Sequence, residues 1–390
     1  MIAEAYEIRN RDSRRSIAIC DEVLTLSGSI NYIKGKAEAL NQQGFCYVQL
    51  ADYAAALAHL QDALRIFISI NDETGIGDAN YNLGLIFIRM GDYNAALEYE
   101  LKSLNIRKKK EDTVGMANCY LQIGYIYEHF EDEETAMKNY RDSFELHGKG
   151  NNPLGEASAL MGIANVYIFR NDHENVKKYL EQCLSLRNPV TDPRGYGATM
   201  HRYTVYYFQN DQFEEARKTA EEGIRTAQKV DDKMGETRFY ISLGKICTKQ
   251  GKFEEALVML TKADQLAKDI RLKSTDYEIN QAFSEVYTQL NQFEKALHYY
   301  KLFHQTKEDV LNADIAVKVR NIQTIRQMET ATREAEIHRL KNVELKEAYQ
   351  EIEEKNKDIM DSIRYALRIQ RSLLPTEIYI ERSLNRLRKG

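Results

Sequence analysis

Seven short turn-like motifs begin at residues 51, 91, 131, 171, 211, 251 and 291, one every 40 residues, and no insertion breaks the register. They are Ala51-Asp52-Tyr53, Gly91-Asp92-Tyr93, Glu131-Asp132-Glu133, Asn171-Asp172-His173, Asp211-Gln212-Phe213, Gly251-Lys252-Phe253 and Asn291-Gln292-Phe293. Five positions after each start stands a small or short apolar residue: Ala56, Ala96, Ala136, Val176, Ala216, Ala256 or Ala296. Seven positions before it stands Gly44, Gly84, Gly124, Ala164, Thr204, Gly244 or Ser284. A period of 20–50 residues means that one supersecondary unit is stacked on copies of itself.

The unit is legible from its apolar spacing. Between Asn71 and the Gly91-Asp92 turn, Ala79, Leu83, Leu85, Ile86 and Met90 recur at helical intervals. After the turn, Ala95, Ala96, Leu97, Leu101, Leu104 and Ile106 form a second stripe. Each unit is therefore expected to be helix, tight turn, helix, with stripes that only stacking can bury. Gly84 and Ala96 leave room for close backbone approach. Tyr47, Phe87, Tyr127, Tyr167, Tyr207 and Tyr287 recur at one position of the first helix, where core packing accounts for them; Cys247 is the exception. The turn at 131–133 lacks its aromatic, and Thr204 with Pro189 and Pro193 departs from the pattern, which reads as repeat drift.

The pattern L-G-x-x-(Y/F)…G-(D/K)-(Y/F)-x-x-A resembles the tetratricopeptide repeat. At 40 rather than 34 residues it resembles the longer-helix variety of bacterial peptide-sensing Rap regulators, kinesin light chains and LGN-type adaptors. The resemblance implies an all-α, right-handed superhelix. Seven units are expected over 31–310, preceded by an N-terminal half repeat or cap over 1–30, in which 5–28 reads as a second helix. It also implies that the first helix of each unit lines a concave face that takes a peptide or protein. The matching positions are Tyr81, Asn82, Tyr125, Asn165, His201, Arg202, Arg238 and Lys245. Asn165, His201, Arg202, Arg238 and Lys245 fall on neighbouring units and mix amides with cations, a set able to hold a peptide backbone and a carboxylate. The Lys and Asn of arrays that clamp chaperone tails are missing.

Composition narrows the alternatives. Only 4 prolines occur in 390 residues, which favours an almost wholly helical chain. A net charge of −5 offers no basic footprint for nucleic acid. No signal peptide or membrane-length apolar run is present. The 5 cysteines are widely separated with no C-x-x-C, as expected of reduced thiols in a cytoplasmic protein. No metal-ligand spacing among the 8 histidines, phosphate loop, nucleophile elbow or dinucleotide fingerprint appears. No catalytic residue, metal site or cofactor is expected within this chain.

From Asn312 to Leu374 there is no Gly or Pro, so 311–374 is expected to be a long helical linker. Ile352, Ile359, Ala366 and Leu373 lie seven apart, with Ile363 beside them and Asn356 near the seam, as in a parallel coiled-coil homodimer. His338 lacks the motif residues of a phosphoacceptor kinase and reads as a solvent-facing helical residue. The run from Asn356 to Pro375, D-I-x-D-S-I-x-Y-A-x-x-I-Q-x-x-L-L-P, closely resembles the helix entering SpoIIE-type (PPM-family) serine/threonine phosphatase domains. That resemblance implies a regulatory module whose output domain would begin within 375–390, with its catalytic part absent from this chain. Arg339 to Leu345 resembles linkers to cyclase-type output domains, which leaves a cyclase input module open. A stand-alone scaffold is the other alternative.

Overall fold

A computed structural model of the chain describes residues 1–9, 12–50, 52–269, 275–373 and 377–388; side chains at 370–378 and at several positions between 313 and 339 fall outside that description. Among the described residues the secondary structure is helical, without strands. The chain begins with α1 (Ile2–Ile8) and α2 (Ser13–Ser29). Hairpins follow: α3 (Ile33–Gln49) with α4 (Tyr53–Ser69), α5 (Glu73–Met90) with α6 (Tyr93–Lys109), α7 (Thr113–His129) with α8 (Glu133–Lys149), and α9 (Pro153–Phe169) with α10 (His173–Leu186). Then come α11 (Pro193–Gln209) with α12 (Phe213–Lys229), α13 (Lys233–Lys249) with α14 (Phe253–Asp269), α15 (Asp276–Gln289) with α16 (Phe293–Leu373), and last α17 (Glu377–Leu387).

The backbone repeats at half the sequence period. Asn31, Asn71, Gly91, Glu111, Glu131, Asn151, Asn171, Asp211, Asp231, Gly251 and Asn291 all have positive φ. Most neighbours in that series are 20 positions apart, so the turn within a unit and the turn between units share one geometry. Asp52, Asp72, Asp92, Asp112, Asp132, Asn152, Asp172 and Asp232 cap the helices that follow, each accepting a hydrogen bond from the amide three positions on, whereas Tyr32 and Gln212 make no such bond. A helix of 17 residues and a three-residue turn thus make up most half units. Glu131 takes the same turn despite the aromatic missing from its motif. α5 is longer at 18 residues and α15 shorter at 14, and α10 also stops at 14. Arg187 is extended there, and Pro193 opens α11.

Within a hairpin, stacked rings twelve positions apart hold the helices near the tight turn. Tyr47–His59, Phe87–Tyr99, Tyr167–Tyr179 and Tyr287–Tyr299 have centroids 5.2, 5.3, 5.3 and 5.5 Å apart and nearly parallel planes. The small residues act where the stripes predict: a Cβ on Gly44 would lie 2.4 Å from Leu60 and 3.3 Å from the Ala56 carbonyl. Between units, one register position reaches the next helix cap. Arg107 Nη1 meets Asp112 Oδ2 at 2.5 Å, His147 Nδ1 accepts from Asn152 Nδ2 at 3.1 Å, and Arg187 Nη1 meets Asp192 Oδ2 at 2.5 Å. All five cysteines are buried as free thiols.

Two expectations need adjustment. The stretch 5–28 is not a single helix, because α1 ends at Ile8 and Asp12 caps a fresh start at Ser13. α1 matches the last turns of a first-type helix, so the half unit carries both helix types. The long linker does not start anew after the repeats, since α16 runs unbroken for 81 residues from the last hairpin. The chain divides into two units, Met1–Ile322 and Gln323–Gly390. In the second, Ile352, Ile359 and Ile363 are 55, 56 and 47% exposed, and Ala366 is exposed too. The Leu373 and His338 side chains lie outside the described residues. No described helix is long and apolar enough to cross a membrane.

Candidate functional site

Residues one unit apart on first-type helices, such as His201 on α11 and Ile241 on α13, line up across the stack. This alignment builds a trough of about 450 Å³ from α11, α13 and the start of α15. Its apolar surface comes from Val205, Phe208 and Ile241, and its polar groups include His201, Arg238, Ser242, Lys245 and Glu278. Phe208 and Lys245 also line a neighbouring cavity of about 600 Å³ that includes Lys249, Gln281, Ser284 and Glu285. The two cavities therefore continue one another along the last three units. An apolar floor with a few convergent polar groups is the usual make-up of a ligand site.

The charges here are unevenly matched. Lys245 Nζ faces Glu278 Oε2 at 3.7 Å. Arg238 and Lys249 have no carboxylate partner among the described residues. His201 sits edge-on to Phe239 with ring centroids 5.7 Å apart. Burial, reinforced by Arg238, Arg202 and Lys245, lowers its pKa to about 4, so the imidazole is neutral at pH 7. Ser242 Oγ donates to the Arg238 carbonyl at 3.1 Å and lies 3.4 Å from His201 Nε2. The donor in that contact is set by the imidazole tautomer.

The opposite end of the array carries a different cavity of about 630 Å³. Here two of the cations are paired, Arg107 Nη2 with Asp78 Oδ1 at 2.7 Å and Lys34 Nζ with Asp72 Oδ2 at 2.9 Å, while Arg9 lies over the Tyr6 and Phe45 rings and donates to Gln42 Oε1 at 3.3 Å. Burial raises the pKa of both Glu38 and Asp78, against the pull of Lys34 and Arg107. Tyr81 and Asn82 belong to this second cavity. Arg107 lies 5.8 Å from the Tyr81 ring centroid, and Asn82 Nδ2 donates to Asn41 Oδ1 at 3.0 Å.

Of the residues singled out from sequence, the structure brings His201, Arg238 and Lys245 into one trough. Arg202 is exposed and outside its lining, as one residue's rotation on a helix is about 100°. Asn165 is half-buried on α9, its Oδ1 buried and without a partner, and lies outside both cavities. Tyr125 is 38% exposed and packs edge-on against His129. Sequence reasoning missed Glu278 and Phe208, which the register places one unit beyond Arg238 and three residues past Val205. It also missed Glu100, fully buried on α6 with neither carboxyl oxygen hydrogen-bonded. Among the described residues no group of three or more His, Cys, Asp or Glu is arranged to hold a metal.

Stacked hairpins around a concave trough define a repeat protein of the tetratricopeptide class. Residues 35–109 and 75–149 match one tetratricopeptide-repeat family model, and 157–189 and 237–270 match another. The apo form of RapI is similar in fold, with TM-score 0.57 and 14% identity over 71% of this chain and 99% of that one. So is the Rap conjugation gene regulator of the plasmid pLS20 in complex with the Phr* peptide, with TM-score 0.54 and 17% identity over 74 and 77%. A third is the apo quorum sensor NprR from B. thuringiensis, with TM-score 0.52 and 15% identity over 78 and 97%. No curated protein matches the chain by sequence.

Proposed function

We propose that the chain is a cytoplasmic peptide-binding regulatory module. Its α11–α13–α15 trough takes the anionic end of a short peptide, and its helical linker passes the bound state to a SpoIIE-type serine phosphatase domain. The observation that carries the peptide reading is Arg238, a guanidinium without a carboxylate partner among the described residues, facing an apolar-floored trough beside a neutral histidine. A guanidinium fork and an ammonium suit a carboxylate, and the neutral imidazole of His201 and the hydroxyl groups suit peptide N–H and C=O. A similar fold occurs in complex with the Phr* peptide. The output reading rests on the likeness of 356–375 to the entry helix of such phosphatases. The seven-residue spacing of exposed isoleucines supports a homodimer through that helix.

The test is a pool of random short peptides with free C termini passed over the immobilised chain. Wild type is expected to retain a sequence-restricted subset. Arg238→Glu with Lys245→Glu is expected to lose that subset while keeping its helical circular dichroism. Undiminished retention by the double variant contradicts the assignment of the trough.

A further inference from the structure

We propose that Glu278 is a resident competitor for the anionic group that the trough takes, and that displacing it loosens the hairpin leading into α16. This rests on the reading of the trough given above and adds a mechanism of regulation to it. Lys245 is on α13 and Glu278 on α15, so their 3.7 Å contact crosses from one unit to the next. The second described contact of the Glu278 carboxyl, 3.5 Å from the Tyr277 hydroxyl, stays within α15. The link between the trough and α15 through this carboxylate is therefore Lys245.

A carboxylate docking on Arg238 places a second negative charge in a trough that already holds Glu278. With His201 neutral, the two anions share Arg238 and Lys245. The ligand gains most by drawing Lys245 to itself, which leaves Glu278 facing a like charge. The contact given up is one that joins units. α15 is also the element that grips the start of α16: Phe283 and Tyr287 stack on Tyr299 at 4.8 and 5.5 Å. A ligand shifts such an equilibrium only by its differential affinity for the two arrangements. Here the difference is the Lys245–Glu278 pair, present in one arrangement and exchanged in the other. Both side chains are partly exposed, and exposed pairs of this kind change an equilibrium by at most about five-fold.

The experiment uses the full chain and two probes, penta-alanine with a free C-terminal carboxylate and its C-terminal amide, titrated by NMR against wild type and Glu278→Gln. The acid is expected to bind Glu278→Gln about two- to five-fold more tightly than wild type, and the amide to bind both alike. Hydrogen exchange over 276–289 is expected to quicken in wild type when the acid binds, and to be quick in Glu278→Gln before any probe is added. Equal affinity of the acid for both proteins, or exchange over 276–289 that the acid leaves unmoved, overturns the competitor role and leaves the trough reading standing. Acid that binds neither protein better than the amide overturns the trough reading itself.

Discussion

The carboxyl group of Glu100 occupies the space that a side chain at residue 84 would fill: a Cβ on Gly84 would lie 2.5 Å from Glu100 Oε1. In other units the same slot holds Leu60 or Leu260, above Gly44 or Gly244. Burial raises the Glu100 pKa well above its ordinary value, against the pull of Cys119 and Arg107. The folded state therefore keeps a proton that the unfolded chain releases above its ordinary pKa of 4.5. Stability contributed at this position falls as pH rises past that value.

Glu100→Leu is accordingly expected to raise unfolding stability at pH 7.5 by about 1–3 kcal/mol, the cost of a buried group without partners. Glu100→Gln should exceed wild type by a margin that widens from pH 5 to pH 8. Urea midpoints across that range check both, and a margin independent of pH would place an ionised carboxylate there.

The shared turn gives a second expectation. Glu131 sits at φ 59°, a conformation that costs a residue with a Cβ about 1–2 kcal/mol. Glu131→Gly relieves that strain and adds freedom to the unfolded chain, for a net gain of up to about 1 kcal/mol. Gly44→Ala should act oppositely, losing about 1–3 kcal/mol as its methyl meets Leu60 and the Ala56 carbonyl. Thermal unfolding of the two variants measures both signs.

His201 sets a pH dependence for binding. Its pKa in the free trough is lowered to about 4, and an anion beside it pulls that value back up. Binding then takes up a proton, so affinity for a peptide acid is expected to rise as pH falls from 7 to 5. His201→Gln should flatten the dependence in calorimetric titrations.

The linker reading predicts that the full chain sediments as a dimer at micromolar concentration. Ile359→Asp with Ile363→Asp should sediment as a monomer, since a charge in a coiled-coil seam is left without water or partner. A wild-type monomer at that concentration removes the dimeric transmitter.

Much of this architecture was legible in the sequence because the 40-residue register fixes which residues share a position. The expected hairpins, small-residue contacts and buried cysteines follow from it. The 20-residue backbone period was hidden because Asn71 and Gly91 adopt one conformation with different side chains. Glu100 escaped notice because a glutamate in a helix reads as solvent-facing. Its alignment with Leu60 and Leu260 was the available signal. Arg202 was grouped with Arg238 as a cation on a neighbouring unit, whereas of Arg202 and His201 only His201 lines the trough.

Hydrogen exchange with and without a peptide retained from the random pool tests the central claim most directly. The account predicts protection over 201–208 and 238–245 and none on second-type helices such as α12. Protection confined to α12 and α14, or to 352–369, with the trough unchanged, contradicts it.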